Sequence, residues 1–276
     1  MASTDFLLEL GCEELPARLQ DRLAQTLANA IAQALDAGQL SYKTITPYST
    51  PRRLAVSITD LATEQPKQSV EKRGPSVKAA FDDAGKPTQA CLGFAESLGV
   101  TINVLETLKT DKGEWLLYRG EQAGKKAEAL LPDIIVSAIK QLPIGKSMVW
   151  QDETPAFPRP VRWLVSLLGN QVLPLKSFGL DASNKSYGHA VHAPQAITLE
   201  KASDYIALLK SAKVLVEREK RKQLIVKELK KLEDRGLKIA MNTALLDEVT
   251  GLVEWPRVHL GHFDASYLTL PQDVLI

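Results

Sequence analysis

Phe157-Pro158-Arg159-Pro160-Val161-Arg162-Trp163-Leu164-Val165-Ser166-Leu167-Leu168 is the stretch on which the fold turns. Its prolines fix φ, and Pro160 restricts the residue before it, so Arg159 is held extended and aimed away from the body. The nearly continuous apolar run Val161 to Leu168 predicts a buried strand. Gly169-Asn170 then supplies a two-residue turn, and Gln171 to Phe178 can return as a partner strand. Pro174 has no N–H to give a ladder, so the returning strand is expected at an edge or with a bulge. A buried hairpin behind a stiff basic lead-in suits the presentation of cations to an anion.

Outward from this stretch, Asp5 to Leu10 predicts a first strand, and Pro16 suits the first position of a helix whose stripe is Leu19, Leu23, Leu27 and Ile31. Gly38 ends that helix. Glu13 and Glu14 lie where acids favour the helix dipole. Leu54, Val56 and Ile58 alternate, as in a half-buried strand behind Thr50-Pro51-Arg52-Arg53. Lys72-Arg73-Gly74-Pro75-Ser76 is expected as a third basic loop, with Ser76 capping a short helix.

The pattern divides the chain into an α+β body over 1–180 and a second α+β part over 181–276, with mixed or antiparallel sheets and packed helices. Residues 77–144 form a possible inserted module: a helix after Thr88, and a hairpin around Thr110-Asp111-Lys112-Gly113. A further helix follows, in which Pro132 predicts a kink or a fresh start. Lys146 to Trp150 leads back to the hairpin. Residues 181–195 read as a functional loop or boundary. Beyond them come a helix at 202–211, a short strand at 213–216, and a charged helix at 217–235. The last has an apolar edge at Ile225, Leu229 and Leu232 and a solvated lysine face at Lys220, Lys227 and Lys231. Then follow a helix at 243–249 and a loop and strand at 252–261. Leu270 to Ile276 has the marks of a helix start, so the chain is expected to be a fragment.

The 276 residues carry a net charge of +1, so any electrostatic footprint must be local. No apolar run approaches the length of a membrane span, and two cysteines, Cys12 and Cys91, make no disulfide framework. A cytoplasmic, non-membrane protein is the expectation. There is no Gly-rich phosphate loop and no Gly-x-Ser-x-Gly elbow, so no catalytic residue is assigned. His189/His192 and His259/His262 lack cysteine companions, and no metal is assigned. The stronger signal is the set of cations at element ends: Arg52, Arg53, Lys72, Arg73, Arg159, Arg162, and Lys185 with His189. If those ends meet, the patch would neutralise phosphates; scattered surface arginines are the alternative. Asp152 and Glu153 are the acids nearest in sequence to Arg159 and Arg162.

Five motifs carry a resemblance. They are Phe6 to Gly11 with Glu13-Glu14-Leu15-Pro16-Ala17, Thr50 to Ala55, Lys72 to Ser76, Phe157 to Trp163, and Leu252-Val253-Glu254-Trp255-Pro256. Together, in this order, they resemble the beta subunit of bacterial tetrameric glycyl-tRNA synthetase. Cys12 stands where threonine is expected in many members. The resemblance implies an N-terminal fragment, similar to the B3/B4-type domain of the phenylalanyl-tRNA synthetase beta subunit. It implies an alpha-subunit partner that carries the catalytic core with the ATP, magnesium and glycine sites, tRNA(Gly), and a second beta subunit in an alpha2beta2 tetramer. This chain itself would hold no cofactor. Because glycine is the smallest amino acid, a steric sieve suffices and editing is not required. Hydrolytic editing of mischarged tRNA and a purely structural scaffold remain the other readings.

Overall fold

The computed structural model describes residues 2–82, 85–110, 113–145, 148–150 and 155–275. The chain runs β1 (Ser3–Cys12), α1 (Ala17–Ala37), β2 (Thr44–Thr50), β3 (Arg53–Ala62), β4 (Gln68–Ser76), α2 (Val77–Ala80), α3 (Gln89–Leu98), β5 (Glu106–Thr110), β6 (Gly113–Gln122), α4 (Ala127–Lys140) and β7 (Val161–Leu168). It continues as β8 (Gln171–Val172), β9 (Lys176–Ser177), β10 (Leu180–Asp181), β11 (Lys185–Tyr187), β12 (Ala196–Thr198), α5 (Tyr205–Ser211), α6 (Arg218–Glu233), α7 (Thr243–Leu252) and α8 (Gln272–Leu275). The fold is α+β, as the pattern predicts.

The main sheet has the order β2-β3-β1-β7-β8 and is antiparallel throughout. Its central strands are apolar at both parities because both faces are covered. Leu8, Leu10, Leu54, Val56, Ile58 and Leu164 face α1 and α4, and the stripe of α1 seals that layer. Leu7, Ala55, Val165 and Leu167 face the other way, onto Leu199, Tyr205, Leu209, Val214 and Val216. Strand alternation sorts the chain between two cores. At roughly 25 cal/mol per Å² of apolar area, these two layers are the main source of stability.

β4, β6 and β5 make a separate three-stranded sheet. Ala80, Cys91 and Leu116 form its small core beneath α2 and α3. α4 packs instead on the main sheet, through Leu131, Ile135 and Ala138.

Several expectations change. Residues 72–76 are the end of β4 rather than a loop, and Ser76 holds the N-cap position of α2 without a side-chain cap bond. Pro16 is the N-cap of α1 rather than its first helical residue, while Gly38 is the C-cap, as expected, and is followed by Gln39 in the left-handed region. α4 passes through Pro132 as one helix, so there is no fresh start. The return from β7 pairs over only two residues, because Pro174 ends the ladder at this edge. No strand forms at 213–216 or 252–261. Val214 and Val216 are buried as a plug, and Leu215 N–H donates to the Glu254 carbonyl. Their alternation reports one-sided burial, which an extended covering segment shares with a strand. The expected turn residues Asp111 and Lys112, the start of the lead-back at Lys146, and the acids Asp152 and Glu153 lie outside the described residues.

Candidate anion-binding cleft

Two basic turns converge on the end of β1. Pro51 and Arg52 form the turn between β2 and β3, with Thr50 opposite Arg53. On the other side, Val161 pairs with Cys12, and the register shifts between Gly11 and Cys12, so Arg162 sits at an irregularity. The connection after β1 is zipped between them. Cys12 N–H donates to the Arg52 carbonyl, Glu13 N–H to Pro160, and Leu15 N–H to Pro51. Glu13 thereby lies between two cations, 3.9 Å from Arg52 Nη2 and 3.5 Å from Arg162 Nε.

Trp163 forms the floor. Its indole lies flat over Gly11, where any Cβ would fall 1.7 Å from the ring, so only glycine fits beneath it. The indole N–H donates to Glu9, and Ser186 Oγ donates to the same carboxylate oxygen at 2.7 Å. Tyr187 packs against the indole with ring centroids 5.0 Å apart. The guanidinium carbons of Arg52 and Arg53 stand 5.9 Å and 5.6 Å from the indole centroid. Arg52, Arg162, Trp163, Tyr187, Ala190 and Pro194 line a cleft of ≈ 300 Å³.

Arg53 is not at its mouth. It is fully buried: Nε meets Glu254 at 3.0 Å, Nη1 lies 3.8 Å from Glu9, and Nη1 also donates to the Tyr187 carbonyl. Burial works against its charge, but Glu254 and Glu9 outweigh burial and leave its pKa above the ordinary value. Thr50 Oγ1 completes the cluster with a 2.6 Å bond to Glu254. Burial, then Glu9, pushes the neighbouring Tyr205 phenol well above its usual range. The expectation of Arg53 as a solvent-facing cation is therefore corrected, because strand parity turns it inward. Its acids come from β1 and from the segment after α7.

The other cations separate. Arg159 is exposed, as predicted, and is held by bonds to the Glu14 and Pro158 carbonyls on the flank beyond Glu13. It lines a neighbouring groove with Leu19, Arg22 and Ile144 rather than the cleft. Lys72 and Arg73 lie on the small sheet, with Arg73 stacked 3.8 Å over Trp115. Lys185 is exposed at the start of β11. His189 is half-buried, and its Nδ1 accepts from the backbone N–H groups of Val191 and His192, both at 3.2 Å. Burial, moderated by Glu254, lowers its pKa, and its Nδ1 braces the loop as the acceptor of those two bonds. Gly188 begins that loop, where a Cβ would fall 2.2 Å from the Ala193 carbonyl.

Arg221, a further buried charge, was hidden in the charged pattern of α6. It donates to the carbonyls of Ser49, Leu215, Val216 and Thr250. Burial, followed by the nearby Arg218, pushes its pKa down to about 10. Its spacing of four from Ile225 was the available signal. Lys220, Lys227 and Lys231 are exposed, as a solvated face should be. Among the described residues, no group of three His, Cys, Asp or Glu side chains could hold a metal. No helix there is long and apolar enough to cross a membrane.

Residues 6–276 match the family model for the glycyl-tRNA synthetase beta subunit. The chain is 44% identical over 277 residues to the glycine–tRNA ligase beta subunit of Coxiella burnetii, and 44% identical over the same length to that of Chromohalobacter salexigens. It is 45% identical over 276 residues to that of Acidithiobacillus ferrooxidans. Each alignment covers 100% of this chain and 40% of the relative, so the chain spans about two fifths of their length. Glu9, Arg53, Trp163 and Glu254, from four of the five motifs read in the sequence, meet beneath one cleft, and the chain belongs to the glycyl-tRNA synthetase beta subunit family.

Proposed function

We propose that this chain is a non-catalytic, tRNA-docking part of a glycine–tRNA ligase beta subunit. In this reading it binds tRNA(Gly) and joins an alpha subunit and a second beta subunit in a cytoplasmic alpha2beta2 enzyme. That enzyme charges tRNA with glycine using ATP. The alpha subunit supplies the ATP and magnesium sites, and this chain supplies RNA contacts. The observation that carries the reading is the pairing of Arg52 and Arg162 across one cleft with a single shared carboxylate, Glu13. At the rim two guanidinium groups share one carboxylate, so donor N–H groups remain for a further anion, which favours a phosphate.

The test is tRNA(Gly) affinity against salt for the 276-residue chain. Replacing Arg52 and Arg162 together by alanine should weaken binding and make the slope of log K against log salt shallower by about 1–2. Binding that is unaltered at low salt, with an unaltered slope, would overturn the reading. The chain alone should give no ATP–pyrophosphate exchange with glycine; clear exchange would overturn its non-catalytic assignment.

A further inference from the structure

We propose that the cleft takes one unpaired nucleotide of a single-stranded RNA segment, with its base against Tyr187 and its phosphate on the solvent-facing side of the Arg52 and Arg162 guanidinium groups. This rests on the RNA-docking reading above and adds to it the chemical form of the RNA. Phosphate binding needs only the arginines. It gives no reason for a rigid aromatic surface in the same cleft.

Tyr187 is such a surface. One side of its ring packs on Trp163, while the residue remains 37% exposed. Its backbone is fixed twice, by the ladder to Ala196 and by the bond from buried Arg53 to its carbonyl. Trp163 behind it is fixed by Gly11 and by the bond to Glu9. A tyrosine held this firmly loses little further entropy when a flat ligand stacks on it.

The size of the site selects the ligand. A cleft of ≈ 300 Å³ is at the small end for organic ligands. It suits one base with its phosphate. Duplex RNA buries its base faces by stacking and offers mainly backbone and 2′-hydroxyls, so it has nothing to place on Tyr187. The chemistry of the lining also limits selectivity. Gly188, Ala190 and Pro194 bring no side-chain donor or acceptor to read a base edge. Stacking should therefore accept any base, with discrimination between strands and duplexes rather than between sequences.

The test uses the 276-residue chain, a labelled single-stranded oligoribonucleotide without self-complementarity, and a blunt RNA duplex carrying the same number of phosphates. Tyr187→Ala should weaken the single strand on the order of 10-fold, leave its salt slope unchanged and leave duplex binding unchanged. Tyr187→Phe, which keeps the ring, should bind within about twofold of the parent. Tyr187→Phe should keep the parental melting temperature, and binding is compared well below the melting temperature of Tyr187→Ala, which loses the ring packed on Trp163. If Tyr187→Ala binds the single strand as the parent does while the Arg52/Arg162 double variant loses affinity, stacking is overturned and phosphate docking stands. If the double variant also binds unchanged, or the parent binds neither RNA, both readings fall.

Discussion

At the N-terminal end of β3 the molecule has a sealed side and an open side, one residue apart. On the sealed side, Arg53 has no exposed surface and meets Glu254 and Glu9, and each of these acids takes a further hydroxyl or indole donor. On the open side, Arg52 keeps 22% of its side chain exposed and shares the Glu13 carboxylate with Arg162, which is 62% exposed. Adjacent residues of one type thus do different work. A guanidinium that leaves water must find its acids inside the fold. One that stays at the rim contributes little to stability and leaves its charge facing solvent. The parity of a strand leaving a tight turn decides which is which.

The sharpest way to break this comparison is on the sealed side. Glu254→Leu removes the acceptor of both Arg53 Nε and Thr50 Oγ1. It leaves Arg53 buried with the Tyr187 carbonyl and, as its remaining carboxylate among the described residues, Glu9 at 3.8 Å. Losing one partner of a buried pair costs about 3–5 kcal/mol. Urea unfolding should show that loss, and a shift of less than about 1 kcal/mol would place the network among rim pairs.

Arg221→Met strips a donor from four carbonyls at once and should cost on the order of 3 kcal/mol, measured the same way. Gly11→Ala forces a Cβ into the indole, and overpacking of this kind costs on the order of 1–3 kcal/mol. Because the floor itself moves, Trp fluorescence should change along with RNA affinity; a parental spectrum would mean that Trp163 is not seated as described.

The smallest effect expected comes from His189. Its pKa is lowered in the fold, chiefly by burial. The unfolded chain therefore takes up a proton first as pH falls below its ordinary value of 6.5. The stability His189 contributes is full above that value and is lost as pH falls through the folded value. The parent should lose slightly more stability than His189→Gln between about pH 7 and 5. Parallel pH profiles for the two would remove the bracing role of Nδ1.

Much of the fold was legible because its signals are local. The apolar stripe of α1, the run 161–168 and the turn at Gly169 each follow from spacing within one element. The candidate site was half legible. Pro51 before Arg52 and Pro160 before Val161-Arg162 marked element ends, and both arginines reached one cleft. The inward turn of Arg53 could not be seen, because its acids lie 44 positions before it in β1 and 201 after it in sequence. Arg221 was hidden by its charged neighbours on α6. Lys72 and Arg73 looked equivalent to the other basic pairs, yet ladder pairing assigns them to a different sheet. Long-range pairing, not local propensity, separates these cases.

The most direct test compares Arg52→Met and Arg53→Met by urea unfolding midpoint, each with and without saturating tRNA(Gly). Without RNA, Arg53→Met should lose about 3–5 kcal/mol and Arg52→Met less than about 1 kcal/mol. With RNA, the parent should gain stability by mass action, and Arg52→Met should gain less. Contradiction would be equal losses in the two variants without RNA, together with a full RNA-linked gain in Arg52→Met.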